Sequence, residues 1–473
     1  MDHFSRTIPI IGTQLQAARV AVLGLSHAAP LVEYLAACGV GCWLWDGADY
    51  DQTVLKVALA HHHGAALALD AAPLSAQTLA AAPPDLVVGL GAAPLLRQTV
   101  EWAHSVGAPA LLVVPGGVAS PWAARVVLPN NDDDQARTAQ FIQLSHGWPA
   151  AAPGLEPALF LVAGLARALL LRRTEFARAD LAELWAAGQR ELHFAAPSDP
   201  GAVTLEVPTP PPAAFRTPPA RRGALLIAGL GSLGSVAALA LADAAERLVI
   251  ADPDHVDVAN PVRQAFAVDT IGQPKASALR TSLLAAGAPA VFAYAEALET
   301  EQQVAALIAE HSITAALVTT GTAADFAIAR ALRQADLPHV VGRCYPRARY
   351  WEALVIDGRR GPALSDLRGH LALGPAPNPT PEQIAAYSDA GALEAEPATL
   401  IESGWAAAWL ARLVRQLLAP PGLRERWLLE LLAAERTCLI GGVQVEPTAD
   451  GPAYGIALPG QVRALGRANI RQP

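Results

Sequence analysis

Short apolar runs that end at a glycine or an acidic residue recur along the chain. The run 224–228 has the length of a buried parallel strand. It leads directly into GLGSLG, from Gly229 to Gly234, and a helical pattern then extends to Ala245. A second apolar run, 248–251, stops at Asp252. The pattern predicts a strand, a glycine turn, a helix, a second strand and an acidic residue, which is the start of a nucleotide-binding α/β unit.

The spacing within this unit supports the same interpretation. Gly229, Gly231 and Gly234 form a GxGxxG motif, in which glycines permit a tight turn and allow helix amides to approach a phosphate. Asp252 follows Gly229 by 23 positions, the separation expected of a residue that holds a ribose hydroxyl.

The first half of the chain carries a weaker form of the pattern. An apolar strand, 19–23, ends at Gly24, but residues 25–30 lack the second and third glycines. A short helix is predicted over 31–38, and the strand 42–45 ends at Asp46, 22 positions after Gly24. This half therefore resembles a Rossmann half-fold without a phosphate-binding turn. The runs 85–90, 108–114 and 125–128 predict three further buried parallel strands.

The second half repeats the strand signals of the first. The runs 317–320, 337–342 and 350–356 follow in the same order, and the helix patterns after Glu156 and Glu396 correspond. The offset between the copies is 205 residues at the glycine turn and 240 at the last helix, so the repeat is a duplicated domain.

Domain boundaries follow from the repeat and from proline content. We predict an α/β fold of two tandem Rossmann-like domains, residues 1–206 and 223–434, joined by a proline-rich linker over 207–222. Residues 435–473 are predicted to form a C-terminal extension, with a hairpin from strands 439–445 and 453–458 around the turn 448–451.

Composition narrows the classes of partner. The 473 residues are 52% hydrophobic and 16% charged, with a net charge of −9, which disfavours binding to nucleic acid. Four cysteines at these spacings favour neither a disulfide scaffold nor a zinc site, so the reducing cytoplasm is expected. The N-terminus lacks a signal-peptide core, and the uncharged segment 224–242 fits the glycine turn better than a membrane span.

Polar residues after Asp252 change the expected ligand. Two cations and an amide, Arg263, Lys275 and Asn260, supply charge and hydrogen bonds that suit a triphosphate better than a nicotinamide dinucleotide. Such groups stabilise negative charge on a departing phosphate.

These residues carry a specific resemblance. The segments GLGSLGS, DPDHVDVANPVRQAF and IGQPKA are similar to the GxGxxG, D-x-D, N-x-x-R-Q and G-x-x-K motifs of the ubiquitin-activating-enzyme superfamily, which includes the ThiF, MoeB and HesA types. The opening segment, His3-Phe4-Ser5-Arg6, is similar to the helix that precedes the first strand in that family. The resemblance extends over nearly the whole chain as a bacterial tandem of an inactive and an active adenylation domain, paired as an intramolecular pseudodimer.

The resemblance implies a reaction: adenylation by ATP of the C-terminal carboxylate of a ubiquitin-like protein, with Mg²⁺, followed by transfer to a thiol. A conjugating enzyme that carries the acceptor cysteine is the implied partner, and no nucleic acid or membrane is expected. Arg6, Arg263 and Lys275 would act on the phosphates, Arg6 from the other domain. The implied nucleotide-binding residues are Gly229, Gly231, Gly234, Asp252, Asp254, Asn260 and Gln264.

Three departures from the family pattern leave questions open. The strand 317–320 lacks the family's usual magnesium-binding Asp after it, so either the nearest carboxylate, Asp325, takes over cofactor binding or the metal ion is handled differently. The zinc-binding CxxC is absent around 362–367. No cysteine lies between Gly361 and Arg436, so the thiol would be Cys344, beside arginines that favour a thiolate, or Cys438, or a partner's cysteine.

The same residues are compatible with three other functions. The chain could serve sulfur-carrier or peptide-modification chemistry by the same adenylation, or it could bind a peptide tail without catalysis. The glycine turn alone would also suit a nicotinamide oxidoreductase, which Asn260, Arg263 and Lys275 disfavour.

Overall fold

A computed structural model describes much of the chain. The described residues are 14–40, 42–45, 70–73, 75–114, 122–127, 138–139, 142, 163, 166, 170, 203–207, 223–344, 351–358, 363–367, 400–419, 436–442, 447–448, 451–452 and 459–466. Of the linker predicted over 207–222, Val207 ends a strand and residues 208–222 lie outside the described residues.

The first half forms a seven-stranded sheet in the order β3-β2-β1-β4-β5-β6-β7. Its elements are β1 (Arg19–Leu23), α1 (Leu25–Ala37), β2 (Cys42–Trp45), β3 (Asp70–Pro73), α2 (Ala76–Ala81), β4 (Leu86–Leu90), α3 (Ala93–Val106), β5 (Ala110–Val114), β6 (Trp122–Val127) and β7 (Val203–Val207).

The second half forms an eight-stranded sheet in the order β10-β9-β8-β11-β12-β13-β14-β17. Its elements are β8 (Ala224–Ala228), α4 (Gly234–Ala240), β9 (Arg247–Ala251), α5 (Lys275–Ala285), β10 (Val291–Tyr294), α6 (Glu301–His311), β11 (Ile313–Val318), α7 (Ala324–Gln334), β12 (His339–Cys344), β13 (Trp351–Ile356), α8 (Leu400–Leu418), β14 (Arg436–Gly442), β15 (Pro447–Thr448), β16 (Gly451–Pro452) and β17 (Pro459–Gly466).

The two sheets share one strand order over their first six positions. In each, five parallel strands are followed by an antiparallel one, β6 or β13. The prediction of a parallel strand at 125–128 was therefore wrong, because β6 runs antiparallel to β5. Only seven residues separate these strands, whereas a parallel connection needs a dozen or more.

Alternation along the buried strands places a core on each face of the second sheet. Leu225 and Ile227 of β8 belong to one hydrophobic cluster, which includes side chains of α4, α5 and α8. Leu226 and Ala228 belong to another, which includes side chains of α6 and α7. Successive side chains of a strand point to opposite faces, so a continuous apolar run is what a sheet covered on both faces requires.

One hydrophobic cluster includes side chains from both halves of the chain. Leu31 and Leu35 of α1 belong to the same cluster of buried side chains as Leu410 and Leu413 of α8. The two sheets are therefore joined by apolar contacts among the described residues.

Two helices differ in length from their sequence patterns. The helix predicted to extend to Ala245 ends at Ala240, where Arg415 of α8 donates a hydrogen bond of 2.5 Å to the Ala240 carbonyl and also pairs with Asp243. The helix predicted from Leu31 begins at Leu25, because Gly24 adopts a left-handed conformation (φ 77°) that turns the chain directly from strand to helix.

The C-terminal strands extend the second sheet. The predicted turn at 448–451 is closed by pairing of Thr448 with Gly451. In the described residues β14 pairs antiparallel with β17. The predicted strand 453–458 lies outside the described residues. None of the helices in the described part of the chain is long and apolar enough to cross a membrane.

Acid sensitivity of the fold is expected from His339 at the start of β12. This side chain is fully buried, and burial lowers the pKa of its imidazole to about 4, while Nδ1 lies 3.0 Å from the Leu337 carbonyl oxygen. Between pH 6.5 and about 4, this imidazole binds a proton in the unfolded chain and stays neutral in the folded one. The stability contributed by this group is therefore complete above that pKa and declines as the pH falls towards 4.

Denaturant unfolding over a pH series tests this expectation. The free energy of unfolding of His339→Gln should change between pH 7 and 4 by up to about 3 kcal/mol less than that of the parent. The matched control is His104→Gln, since His104 is exposed on α3. A His339→Gln protein with the same pH slope as the parent would contradict the prediction.

Candidate functional site

The carboxyl ends of three adjacent parallel strands meet at one edge of the second sheet. The glycine turn follows β8, Asp252 follows β9, and residues 319–322 follow β11. Ligands of open α/β sheets bind outside the carboxyl ends of the strands, where the strand order reverses. In this sheet the order reverses at β8, between β9 and β11, so the glycine turn lies at that point.

The three glycines of the turn differ in what an added Cβ would meet. Gly229 is left-handed (φ 86°), and an added Cβ would lie 2.6 Å from the backbone of Thr319. A Cβ on Gly234 would lie 1.8 Å from the Gly229 carbonyl oxygen. At Gly231, by contrast, a Cβ would meet no protein atom within 4 Å. Two glycines therefore serve packing, and the third leaves open space beside the turn.

Asp252 is buried, and its carboxylate organises the turn. Oδ2 accepts a hydrogen bond of 2.5 Å from the Leu230 N–H, and Oδ1 accepts one of 2.9 Å from the Asp254 N–H. Burial raises the pKa of Asp252, and the charge of Lys275 opposes this rise. Each carboxylate oxygen has two acceptor positions, so the bonds to the backbone leave capacity for a ribose hydroxyl.

Lys275 begins α5 and is brought back to the same edge of the sheet. The Lys275 N–H donates a hydrogen bond of 2.9 Å to the Asp254 carbonyl, and the Val256 N–H donates one of 2.9 Å to the Gln273 carbonyl. Lys275 Nζ lies 2.8 Å from Asp254 Oδ2 and 4.0 Å from Asp252 Oδ1, with its side chain 9% exposed. The segment from Asp252 to Lys275 therefore forms a closed loop, and the side chain of Lys275 lies beside the carboxylates of Asp252 and Asp254.

The N-x-x-R-Q residues form a helical turn that is bound to α4 and α8. Asn260 Oδ1 accepts a hydrogen bond of 3.0 Å from the Asp257 N–H, and its carbonyl accepts from the N–H groups of Arg263 and Gln264. Ser403 of α8 donates to the Arg263 carbonyl at 3.4 Å.

Ser235 is a positioning residue that the sequence argument missed. Its hydroxyl donates to the Gly231 carbonyl at 2.7 Å and accepts from the Ala265 N–H at 3.1 Å. It therefore ties the glycine turn to the N-x-x-R-Q turn. Its position directly after GxGxxG, in the first turn of α4, could have indicated this role from the sequence.

Gln264 carries a polar atom that suits a bound ligand. The side chain is 5% exposed, and its Oε1 is buried without a hydrogen-bond partner in the protein. Buried polar atoms are normally satisfied, so an orphaned one beside the predicted site is consistent with a partner supplied by a ligand.

Asp325 lies in the first turn of α7 and is fully buried. Its Oδ2 accepts a hydrogen bond of 3.0 Å from Arg343 Nε, and its Oδ1 accepts bonds of 2.6 Å from the Thr320 hydroxyl and 3.2 Å from the Thr320 N–H. Burial raises the pKa of Asp325, with Arg343 acting in the opposite direction. Arg343 and Thr320 did not figure among the predicted site residues.

The structure describes the two candidate cysteines but not the predicted arginine of the first half. Cys344 ends β12 at the same carboxyl edge, whereas Cys438 is adjacent to Leu439, which pairs with Leu354 in the interior of the sheet. Arg343, which precedes Cys344, pairs with Asp325. Arg6 lies outside the described residues.

The residues present fit a nucleoside triphosphate better than a protein-bound metal. The open space at Gly231, the cation at Lys275 and the orphaned Gln264 Oε1 suit a phosphate-bearing ligand. Within the described residues no group of three His, Cys, Asp or Glu side chains could hold a metal ion. Mg²⁺ in such sites keeps several waters and is held by substrate phosphates with only one or two carboxylates.

Alanine at two of the glycines should separate ligand access from folding. Gly231→Ala adds a methyl group in open space, so the free energy of unfolding should change by less than about 1 kcal/mol while the ATP dissociation constant rises by about tenfold or more. Gly234→Ala forces a clash with the Gly229 carbonyl and should lower stability by roughly 2 kcal/mol or more. Calorimetry with ATP and thermal unfolding provide the two measurements. Unchanged ATP affinity in Gly231→Ala would contradict the assignment.

Comparison with known proteins places part of the chain in a family. No curated protein matches the sequence. The model of the ThiF family matches residues 219–416, which contain the glycine turn, Asp252, the N-x-x-R-Q turn and Lys275. ThiF proteins belong to the superfamily of ubiquitin-activating-enzyme-like and MoeB proteins, whose chemistry is of the adenylation type. The similarity to the ThiF family thus holds for residues 219–416, the part of the chain that contains the candidate site.

Proposed function

We propose that the protein uses ATP to adenylate the C-terminal carboxylate of a ubiquitin-like protein and delivers the activated tail to a thiol. The observation that carries the proposal is the convergence of Lys275, Asp252 and Asp254 with the Asn260–Gln264 turn around the glycine turn. A dinucleotide oxidoreductase needs the glycine turn and the acid, but it does not need a buried lysine beside them.

The proposed chemistry has two steps. A carboxylate oxygen of the tail attacks the α-phosphorus of ATP, the bond between the α-phosphorus and the bridging oxygen breaks, and pyrophosphate leaves. A thiolate then attacks the acyl carbon and AMP leaves. The chain's residues supply position and charge: Asp252 holds the ribose, while Arg263 and Lys275 balance the charge of the phosphates. Mg²⁺ would accompany ATP on its phosphates.

The proposed architecture is a tandem in one chain. Residues 1–206 would be an inactive adenylation domain, 223–434 the active one, and 435–473 an extension. The shared strand order and the hydrophobic cluster between α1 and α8 support pairing of the two as a pseudodimer. Arg6, on the inactive domain, would act on the phosphates of the active one.

The proposed destination of the tail is a thiol in the reducing cytoplasm. Cys344 is the favoured residue within the chain, because it ends β12 at the edge where the glycine turn and Asp252 also lie. A conjugating enzyme with its own cysteine would be the next acceptor.

A second candidate function is non-catalytic binding of a peptide tail. The specific observation that favours it is the engagement of both oxygens of Asp325 by Arg343 and Thr320, in the region where the family places a magnesium-binding carboxylate. Adenylation for sulfur-carrier or peptide-modification chemistry would use the same residues on a different tail, so the identity of the activated protein distinguishes it.

Incorporation of labelled pyrophosphate into ATP tests the first step. Exchange should depend on an added protein with a glycine-rich C-terminal tail. Lys275→Ala and Arg263→Ala should each reduce the exchange rate by about 100-fold or more, because each removes a cation that balances phosphate charge. Arg6→Ala, in the same series, should reduce it strongly.

The matched control is Arg330→Ala, which removes an arginine of α7 whose partner is Glu301 at the surface. It should retain the parent rate. Tight binding of tail-bearing proteins without exchange would favour the non-catalytic function, and a fully active Arg6→Ala would remove the role across the two domains.

A covalent adduct tests the second step. With ATP and the tail-bearing protein, a reductant-sensitive adduct should form, persist in Cys438→Ala and disappear in Cys344→Ala, because only Cys344 ends a strand at the carboxyl edge. Non-reducing electrophoresis and mass spectrometry give the readout. An adduct that survives Cys344→Ala would overturn this assignment, and its survival in both variants would clear both cysteines.

A further inference from the structure

A buried ion pair lies next to the glycine turn and is not part of the adenylation chemistry proposed above. Arg343 Nε donates to Asp325 Oδ2 at 3.0 Å, and the exposed fractions of the two side chains are 15% and 0%. The guanidinium also lies over the ring of Phe326, 5.2 Å from its centroid. Stacking and ion pairing together hold the planar guanidinium in one orientation.

The other oxygen of Asp325 holds the segment that follows β11. Oδ1 accepts from both the hydroxyl and the N–H of Thr320, at 2.6 and 3.2 Å. The Thr320 hydroxyl in turn lies 3.0 Å from that of Thr322. Asp325 therefore fixes the backbone of this segment through two bonds to one residue.

The same segment contacts the glycine turn directly. The Thr319 hydroxyl donates to the Gly229 carbonyl at 2.8 Å, and the Thr319 N–H donates to the Ala228 carbonyl at 2.8 Å. Gly229 also bonds through its N–H to the Ala251 carbonyl, next to Asp252. A continuous chain of bonds thus runs from Arg343 through Asp325, Thr320 and Thr319 to the turn.

Charge compensation explains why the chain of bonds depends on Arg343. A fully buried carboxylate is costly unless it is paired and hydrogen-bonded, and burial raises the pKa of Asp325 while Arg343 favours its charged form. Without the guanidinium, the carboxylate would protonate or move towards water, and either change would weaken its hold on Thr320.

We propose that Arg343 is a positioning residue for nucleotide binding: by holding Asp325, it keeps Thr319 and Thr320 against Gly229 and so fixes the glycine turn in its binding conformation. Arg343 acts through this chain of bonds and does not touch the nucleotide. The inference rests on the proposed use of ATP at the glycine turn.

Calorimetric titration with ATP and Mg²⁺, together with thermal unfolding, tests the inference without a protein substrate. Arg343→Met keeps the side-chain length and removes the charge, and it should raise the ATP dissociation constant between about 10- and 100-fold. Arg343→Lys should recover part of the affinity. The double variant Asp325→Asn with Arg343→Met should bind ATP better than Arg343→Met alone, since no charge is left buried and unpaired.

A second route avoids charged residues, in case Arg343→Met does not fold. Thr319→Val removes the hydrogen bond to Gly229 with little change in shape and should weaken ATP binding about tenfold, whereas Thr319→Ser should restore it. The matched control is Thr314→Val, which removes a 3.3 Å bond to the Ala224 carbonyl at the other end of the same strand pair. This control should leave ATP binding unchanged.

The outcomes separate this inference from the proposed function. A purely structural role predicts lower thermal stability with an unchanged ATP dissociation constant in the folded protein, so that result for Arg343→Met and Thr319→Val would overturn the inference. ATP binding that responds as expected, without pyrophosphate exchange on any tail, would support the inference and count against adenylation. A parent protein that binds no ATP would overturn both.

Discussion

The backbone of the glycine turn lies against the end of β11 with no space for a side chain between them, and the site depends on this contact. An added Cβ on Gly229 would lie 2.6 Å from the Thr319 backbone, and one on Gly234 would lie 2.6 Å from the Thr319 hydroxyl oxygen. The close approach brings the ends of β8, β9 and β11 to one point. Asp252 and the bonds of Asp325 can therefore act on a single turn.

Paired charge is the second organising feature of this edge, and it occurs in two sets. The buried Asp252 and the exposed Asp254 share Lys275, while the buried Asp325 pairs with Arg343. Each set combines an ion pair with hydrogen bonds to backbone N–H groups, which is the condition under which buried carboxylates are tolerated. The first set lies beside the open space at Gly231. The second holds Thr320, whose neighbour Thr319 contacts the turn. The match of residues 219–416 to the ThiF family links this arrangement to chemistry of the adenylation type.

The first sheet shows which glycine the fold itself needs. Gly24 is left-handed, and an added Cβ would lie 2.1 Å from the Leu90 carbonyl oxygen at the end of β4. This contact corresponds to that of Gly229 with the end of β11. Residues 25–30 contain no further glycine. The first half thus retains the glycine that strand packing requires and lacks the one that leaves space for a ligand, as expected of a half that keeps the fold without the phosphate turn.

The sequence alone determined the α/β class, the strands β8 and β9, the glycine turn, Asp252 and the grouping of Asp254 with Lys275, because strand period, glycine spacing and family motifs are local properties. Tertiary structure decided the rest. Neighbours distant in sequence decided three features: the antiparallel direction of β6, the end of α4 where Arg415 binds the Ala240 carbonyl, and the pairing of β14 with β17. The partnership of Asp325 with Arg343, 18 positions apart, likewise exists only when β12 packs beside α7, since no local pattern encodes which buried cation a buried carboxylate will meet.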